Sequence, residues 1–215
     1  MLCIVRGVRY INSIMSNPIS QDSIDQALNL LSGRLDLAQT DPVRLVICGG
    51  AALIATNLRR RTTRDMDVVA LLSAAHEPVS PDPLPEFLVK AADQVARDLG
   101  LFDGWLNNGP SRGEGGLFQM GLPQGFVSRL TERKYGPRLI VYFIGRPDQI
   151  HFKLYAAADQ REGTHLNDLK ALHPTAAELE AAARWAMTHD VSEGFRMVLK
   201  DLLTQLGHEC VAERI

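Results

Sequence analysis

Apolar positions recur along this chain in two rhythms, and the changes of rhythm mark its elements. In residues 20–38, Ile24, Leu28, Leu31 and Leu35 fall at helical spacing, which predicts an amphipathic helix opening near Ser20 or Asp22. Pro42 then precedes the apolar run VRLVIC, and MDVVALL at 66–72 and RLIVYFIG at 138–145 are two further runs that read as strands. Ala51 to Leu58 is read as a short helix. HEPVSPDPLPE, with prolines at 78, 81, 83 and 85, is a stiff loop. In PEFLVKAADQVARDLG, Phe87, Ala91, Val95 and Leu99 form one stripe, so a helix is predicted that Gly100 ends.

Beyond the third strand the pattern is helical throughout. Pro147 stands where a first helical residue belongs, and helices are predicted at 147–159, 164–172 and 175–189. A last one covers 192–207 through Phe195, Val198, Leu202 and Leu206. The organisation is therefore α/β followed by α, a mixed β-sheet flanked by helices, of α/β (α+β) class. It divides into a core at 18–145, a C-terminal helical subdomain at 146–215, and residues 1–17 as a tail or an extra strand. Residues 104–125 hold seven glycines and little periodicity. No G-x-x-x-x-G-K-[ST] phosphate loop occurs there or elsewhere, and the segment reads as turns between short edge strands such as LFQMGL.

Composition narrows the class. With 215 residues and 46% hydrophobic content the chain can bury one good core. A net charge of −2 argues against a general nucleic-acid coat. The charge is uneven, however: residues 1–64 carry 8 Lys+Arg against 4 Asp+Glu, residues 65–145 carry 7 against 10, and residues 146–215 carry 8 against 11. An anion-binding surface is therefore expected near the arginines at 59–64. Cys3, Cys48 and Cys210 are odd in number and far apart, with no zinc or disulfide spacing, so a reducing cytoplasm is the expected setting. The start, MLCIVRGVRYINSIM, is a poor signal peptide because Arg6 and Arg9 interrupt it, and no run has the length of a membrane span.

The chemistry concentrates in LVICGGAALIATNLRRRTTRDMDVVALL, residues 45–72. Gly49 and Gly50 close an apolar strand before a short helix, a turn whose free backbone N–H groups would face a phosphate. Asp65 and Asp67 open the next strand. Residues two apart on a strand share a face, roughly 6.6 Å apart at a rise of about 3.3 Å per residue. Two hard oxygen donors so placed suit one or two Mg²⁺ ions, or Mn²⁺ in their stead.

A Gly-Gly turn followed by Asp-x-Asp on the next strand resembles the signature of the nucleotidyltransferase superfamily, the group with the DNA polymerase beta fold. RPDQIHFKLYAAADQREGTHLNDLKAL at 146–172 resembles the Lys-bearing helix and Asp-bearing helix start of the abortive-infection, AbiEii-like toxin nucleotidyltransferases and their small relatives. The resemblance implies that Asp65 and Asp67 hold metal, that Lys153 faces nucleotide phosphates, and that Gly49, Gly50, Arg64 and Asp168 border the nucleotide. Other readings stand beside these. Arg59 to Arg61 fit a solvated helix end, with one of them reaching a phosphate. Lys153 also fits a snorkelling lysine, and Asp168, four residues after the N-cap candidate Thr164, also fits a dipole-stabilised carboxylate. His165 has no partner at metal spacing and reads as a surface or packing residue.

The departures count too. Position 50 carries no hydroxyl, and RLIVYFIG has no Asp or Glu to serve as the third carboxylate many nucleotidyltransferases place on a later strand. Glu114 and Glu132 are the substitutes available. The leading reading is Mg²⁺-dependent transfer of a nucleoside monophosphate from an NTP to the hydroxyl of RNA, protein or a small molecule. The alternatives are a catalytically silent nucleotide- or partner-binding module, and a toxin with an antitoxin partner. Geometrically, the strands at 43–48, 66–72 and 138–144 should be sheet neighbours, with Lys153 and Asp168 facing the carboxylates across a cleft walled by Gly49 and Gly50.

Overall fold

The computed structural model of the protein describes residues 16–160 and 163–215. The expectation of a tail or extra strand before residue 18 falls almost wholly on residues 1–15, outside the described residues. Ser20 caps the first helix, α1 (Gln21–Leu37), in a reciprocal box with Ser23, and the stripe Ile24, Leu28, Leu31 and Leu35 is fully buried. β1 (Val43–Cys48) follows, then α2 (Gly49–Ala55), β2 (Met66–Leu72), β3 (Pro78–Val79), α3 (Glu86–Leu99) and β4 (Leu106–Asn107). Gly100 ends α3 in the left-handed conformation, at φ 63°.

The sheet runs β3-β2-β1-β6-β5, where β5 is Thr131–Lys134 and β6 is Leu139–Phe143, and β4 pairs with β2 off this path. β1 is central: antiparallel to β2 with Cys48 opposite Asp67, and parallel to β6 from Val43↔Leu139 to Ile47↔Phe143. The three strands anticipated from the apolar runs are thus neighbours, and β1 is covered on both faces, which is why VRLVIC reads as an unbroken run.

One expectation fails in the glycine-rich stretch, and one strand forms beyond it without having been expected. LFQM is no edge strand but a single helical turn, α4 (Leu117–Met120), bounded by Gly116 and by Gly121 at φ 111°. Gly116 lies against the Ser111 backbone, where a Cβ would collide with the Ser111 carbonyl carbon. Conversely TERK, unmarked by any apolar alternation, forms β5, because β6 offers it a ladder from Thr131↔Phe143 to Lys134↔Ile140.

The C-terminal part is α5 (Arg146–Gln160), α6 (Gly163–Ala171), α7 (Ala176–His189), α8 (Glu193–Gln205) and α9 (Glu209–Ala212). Thr175 and Glu178 cap α7 reciprocally, and Ser192 caps α8. Buried side chains fall into two clusters, one around the sheet with α1 and α3, the other within α5–α9. Leu53 of α2, fully buried, belongs to the second cluster, so the helix that follows the Gly-Gly turn seats the C-terminal helices. No helix among the described residues is long and apolar enough to cross a membrane.

Candidate active site

Where β1 runs into α2, Gly49 adopts φ +68°, and a Cβ there would stand 2.7 Å from Asp67 Oδ2. A Cβ on Gly50 would collide with the Arg61 guanidinium and stand 2.8 Å from Thr63 Oγ1. The two glycines therefore let a carboxylate and a guanidinium lie directly on the backbone. From α5, the fully buried Gln149 donates its amide N–H to the Gly49 carbonyl at 3.2 Å, fixing the turn from the helical side.

The turn lies between two adjoining hollows of about 430 and 420 Å³ that share Asp67, Lys153 and His165. The first is polar, bordered by Gly50, Arg61, Arg64 and Asp65; the second has more apolar walls, with Pro110, Leu117, Phe152 and Tyr155. Asp65 stands just before β2 and accepts from the Thr63 hydroxyl at 3.3 Å, while Asp67 is on β2 itself. Burial pushes the Asp67 carboxyl up to about 6, and the charge of Asp65 adds to the push, against Lys153, Asn107 and Arg61. Loss of solvent is the main cause, since it disfavours the charged form of the carboxyl. The thiol of Cys48 at the end of β1 is also pushed up by burial, with Asp67 adding to it, so it is no thiolate nucleophile in this cleft.

Asp168, expected near a helix start, is a fully buried acceptor on α6. Lys153 Nζ lies 2.9 Å and Arg61 Nη2 3.1 Å from its Oδ2, and Arg59 pairs with Oδ1. Lys153 is not a snorkelling residue; its side chain is buried in this ion cluster. Arg59 and Arg61 are not a solvated helix end either, and only Arg60 of the three is exposed. Three cations on one carboxylate leave positive charge in excess beside Asp65 and Asp67. Arg64 stands at the rim of the polar hollow, its guanidinium 4.0 Å above the Phe102 ring. His165, read as a surface or packing residue, borders both hollows and bonds Gln160 Oε1 at 3.0 Å.

Asp65 and Asp67 have the donor chemistry for a divalent cation, and the raised Asp67 carboxyl is the feature that such a charge would relieve. Among the described residues no group of three or more His, Cys, Asp or Glu is placed to hold a metal. Glu132 accepts from the Tyr142 hydroxyl at 2.6 Å on edge strand β5, and neither it nor Glu114 borders the cleft.

No protein-family model matches the chain, and no curated protein does. Among solved structures, the chain is similar to an antigenic nucleotidyltransferase-like protein from Paracoccidioides brasiliensis, with 16% identity, 92% of this chain and 95% of that one covered, and a TM-score of 0.47.

Proposed function

We propose that the chain is a Mg²⁺-dependent nucleotidyltransferase that moves a nucleoside monophosphate from an NTP to an acceptor hydroxyl. The observation that carries this reading is the meeting of Asp65, Asp67, Lys153 and Arg61 around the Gly50 side of one polar hollow. Asp65 and Asp67 would hold the cation, which supplies charge neutralisation on phosphate oxygens. The missing Cβ atoms of Gly49 and Gly50 let Asp67 and Arg61 stand against the turn, where they would meet the cation and the phosphates. Lys153, pre-positioned by Asp168, and Arg61 neutralise negative charge as the acceptor oxygen bonds the α-phosphorus and pyrophosphate leaves. Arg64, which pairs with no carboxylate among the described residues and stacks on Phe102, guards the outer end.

The lack, among the described residues, of a third acid beside Asp65 and Asp67 favours a second reading, a nucleotide-binding module without turnover. A toxin role with an antitoxin partner rests on the sequence resemblance alone. One experiment separates these. If the reading holds, Mg²⁺ or Mn²⁺ with NTP raises the melting temperature by mass action, Asp67→Asn removes most of the rise, and pyrophosphate appears with a competent acceptor. A melting temperature indifferent to both ions, with and without NTP, overturns the enzyme. Stabilisation without pyrophosphate supports the silent module, and growth arrest on expression that Asp67→Ala abolishes supports the toxin.

A further inference from the structure

The sheet neighbour of Asp67 is neither of the substitutes suggested by the sequence. RLIVYFIG lies beside β1, whereas the strand beside β2 at this level is β4, in parallel register with Met66 opposite Leu106 and Asp67 opposite Asn107. Residues in register project to the same face of the sheet. The two-residue strand is firmly held: Trp105 is fully buried, its indole N–H donates to the Ala92 carbonyl at 2.9 Å, and the Met66 N–H donates to the Trp105 carbonyl at 2.5 Å.

The orientation of the Asn107 amide is also determined. The Gly109 backbone N–H donates to Asn107 Oδ1 at 2.7 Å, and only an oxygen can accept it. Gly109 is needed for that approach, since a Cβ there would stand 2.9 Å from Oδ1. The oxygen is thus engaged in the turn, and Nδ2, on the residue in register with Asp67, donates to the Gly104 carbonyl at 3.4 Å.

We propose that Asn107 is a positioning residue of the cation site: it flanks Asp67 from the neighbouring strand and steadies its carboxylate, and by standing neutral beside it, it leaves the divalent cation dependent on a triphosphate for tight binding. This rests on the reading that Asp65 and Asp67 hold the cation. Two carboxylates beside Lys153 and Arg61 attract a free divalent ion weakly, and the phosphate oxygens of an NTP complete its ligand set.

The test is direct titration of Mn²⁺, followed by the spin-resonance signal of the free ion, with and without a non-hydrolysable NTP. Wild type, Asn107→Asp, Asn107→Ala and Asp67→Asn are compared, each checked for its fold by circular dichroism. Asn107→Asp still accepts from Gly109, so the turn survives, and nucleotide-free Mn²⁺ affinity rises by about ten-fold or more with the third carboxylate. Asn107→Ala weakens Mn²⁺ binding in the presence of the NTP analogue by about ten-fold, the usual effect of losing a group that orients a ligand. If both variants stay within about two-fold of wild type while Asp67→Asn loses the ion, Asn107 is a turn residue only and the proposal falls. If Asp67→Asn binds Mn²⁺ as wild type does, the cation reading itself is overturned and this one with it.

Discussion

Gly50 has no room for a side chain because Arg61 and Thr63 already fill the space, and Gly49 has none because Asp67 does. The two positions differ in what a methyl would displace. At Gly50 it meets both the Arg61 guanidinium and the hydroxyl of the buried Thr63, so Gly50→Ala should cost about 1–3 kcal/mol in urea unfolding while loosening Arg61 from the cleft. Gly49→Ala adds the left-handed conformation, itself about 1–2 kcal/mol for a residue with a Cβ, and pushes the Asp67 carboxylate. It should be the less stable of the two and the one that loses the divalent-ion stabilisation. Lys153→Ala leaves Asp168 with Arg59 and Arg61, so the fold should survive. Triphosphate affinity should fall while nucleoside affinity stays nearly constant, measured by calorimetry; equal loss for ATP and adenosine would mean a packing role. Asp65 and Asp67 stand out in the sequence because they are two apart at the head of an apolar run, although only Asp67 lies on β2 itself. Nothing local separates Arg61 from Arg60, since the carboxylate that turns Arg61 inward is 107 positions away. Asn107 is invisible for the same reason: its relation to Asp67 exists only once β4 pairs with β2.

Among the elements, α6 is attached to the sheet side by the ion cluster at Asp168. Removing that carboxylate leaves Lys153, Arg59 and Arg61 facing one another, so Asp168→Ala should cost about 3–5 kcal/mol in denaturant. A second contact joins α5 and α7, where His151 and Tyr155 meet Trp185 edge-on and His189 packs at 4.1 Å between ring centroids. Burial lowers the pKa of both histidines below the ordinary 6.5. A base whose folded pKa is lowered contributes stability above its unfolded value that is lost as pH falls through the folded one. Urea unfolding at pH 7.5 and at pH 5.5 should show that loss, and His189→Gln should reduce it. Helices with clear stripes were legible in advance, as was the Gly100 stop. β5 was not, because TERK owes its strand to the neighbour it pairs with and its side chains are mostly exposed.

At the scale of the molecule, one of the chain's two tryptophans, Trp105, lies within the sheet cluster, and the other, Trp185, packs against both clusters. Leu53, the Gln149–Gly49 bond and the Asp168 cluster tie them together. Single-tryptophan variants, Trp105→Phe and Trp185→Phe, should therefore each report one urea transition with coincident midpoints. Separate midpoints would mean that the helices unfold apart from the sheet.

The parallel pairing of β1 with β6 bears on how the chain is made. Val43 meets Leu139, and the intervening segment must be synthesised before the central strand gains its second neighbour. On the ribosome, VRLVIC keeps one open edge until Leu139–Phe143 has been made, the kind of edge that invites pairing between nascent chains. Since the Gly-Gly turn begins where that strand ends, and the lysine facing it comes later still, a nascent chain stopped before α5 carries both carboxylates but only half of the cleft.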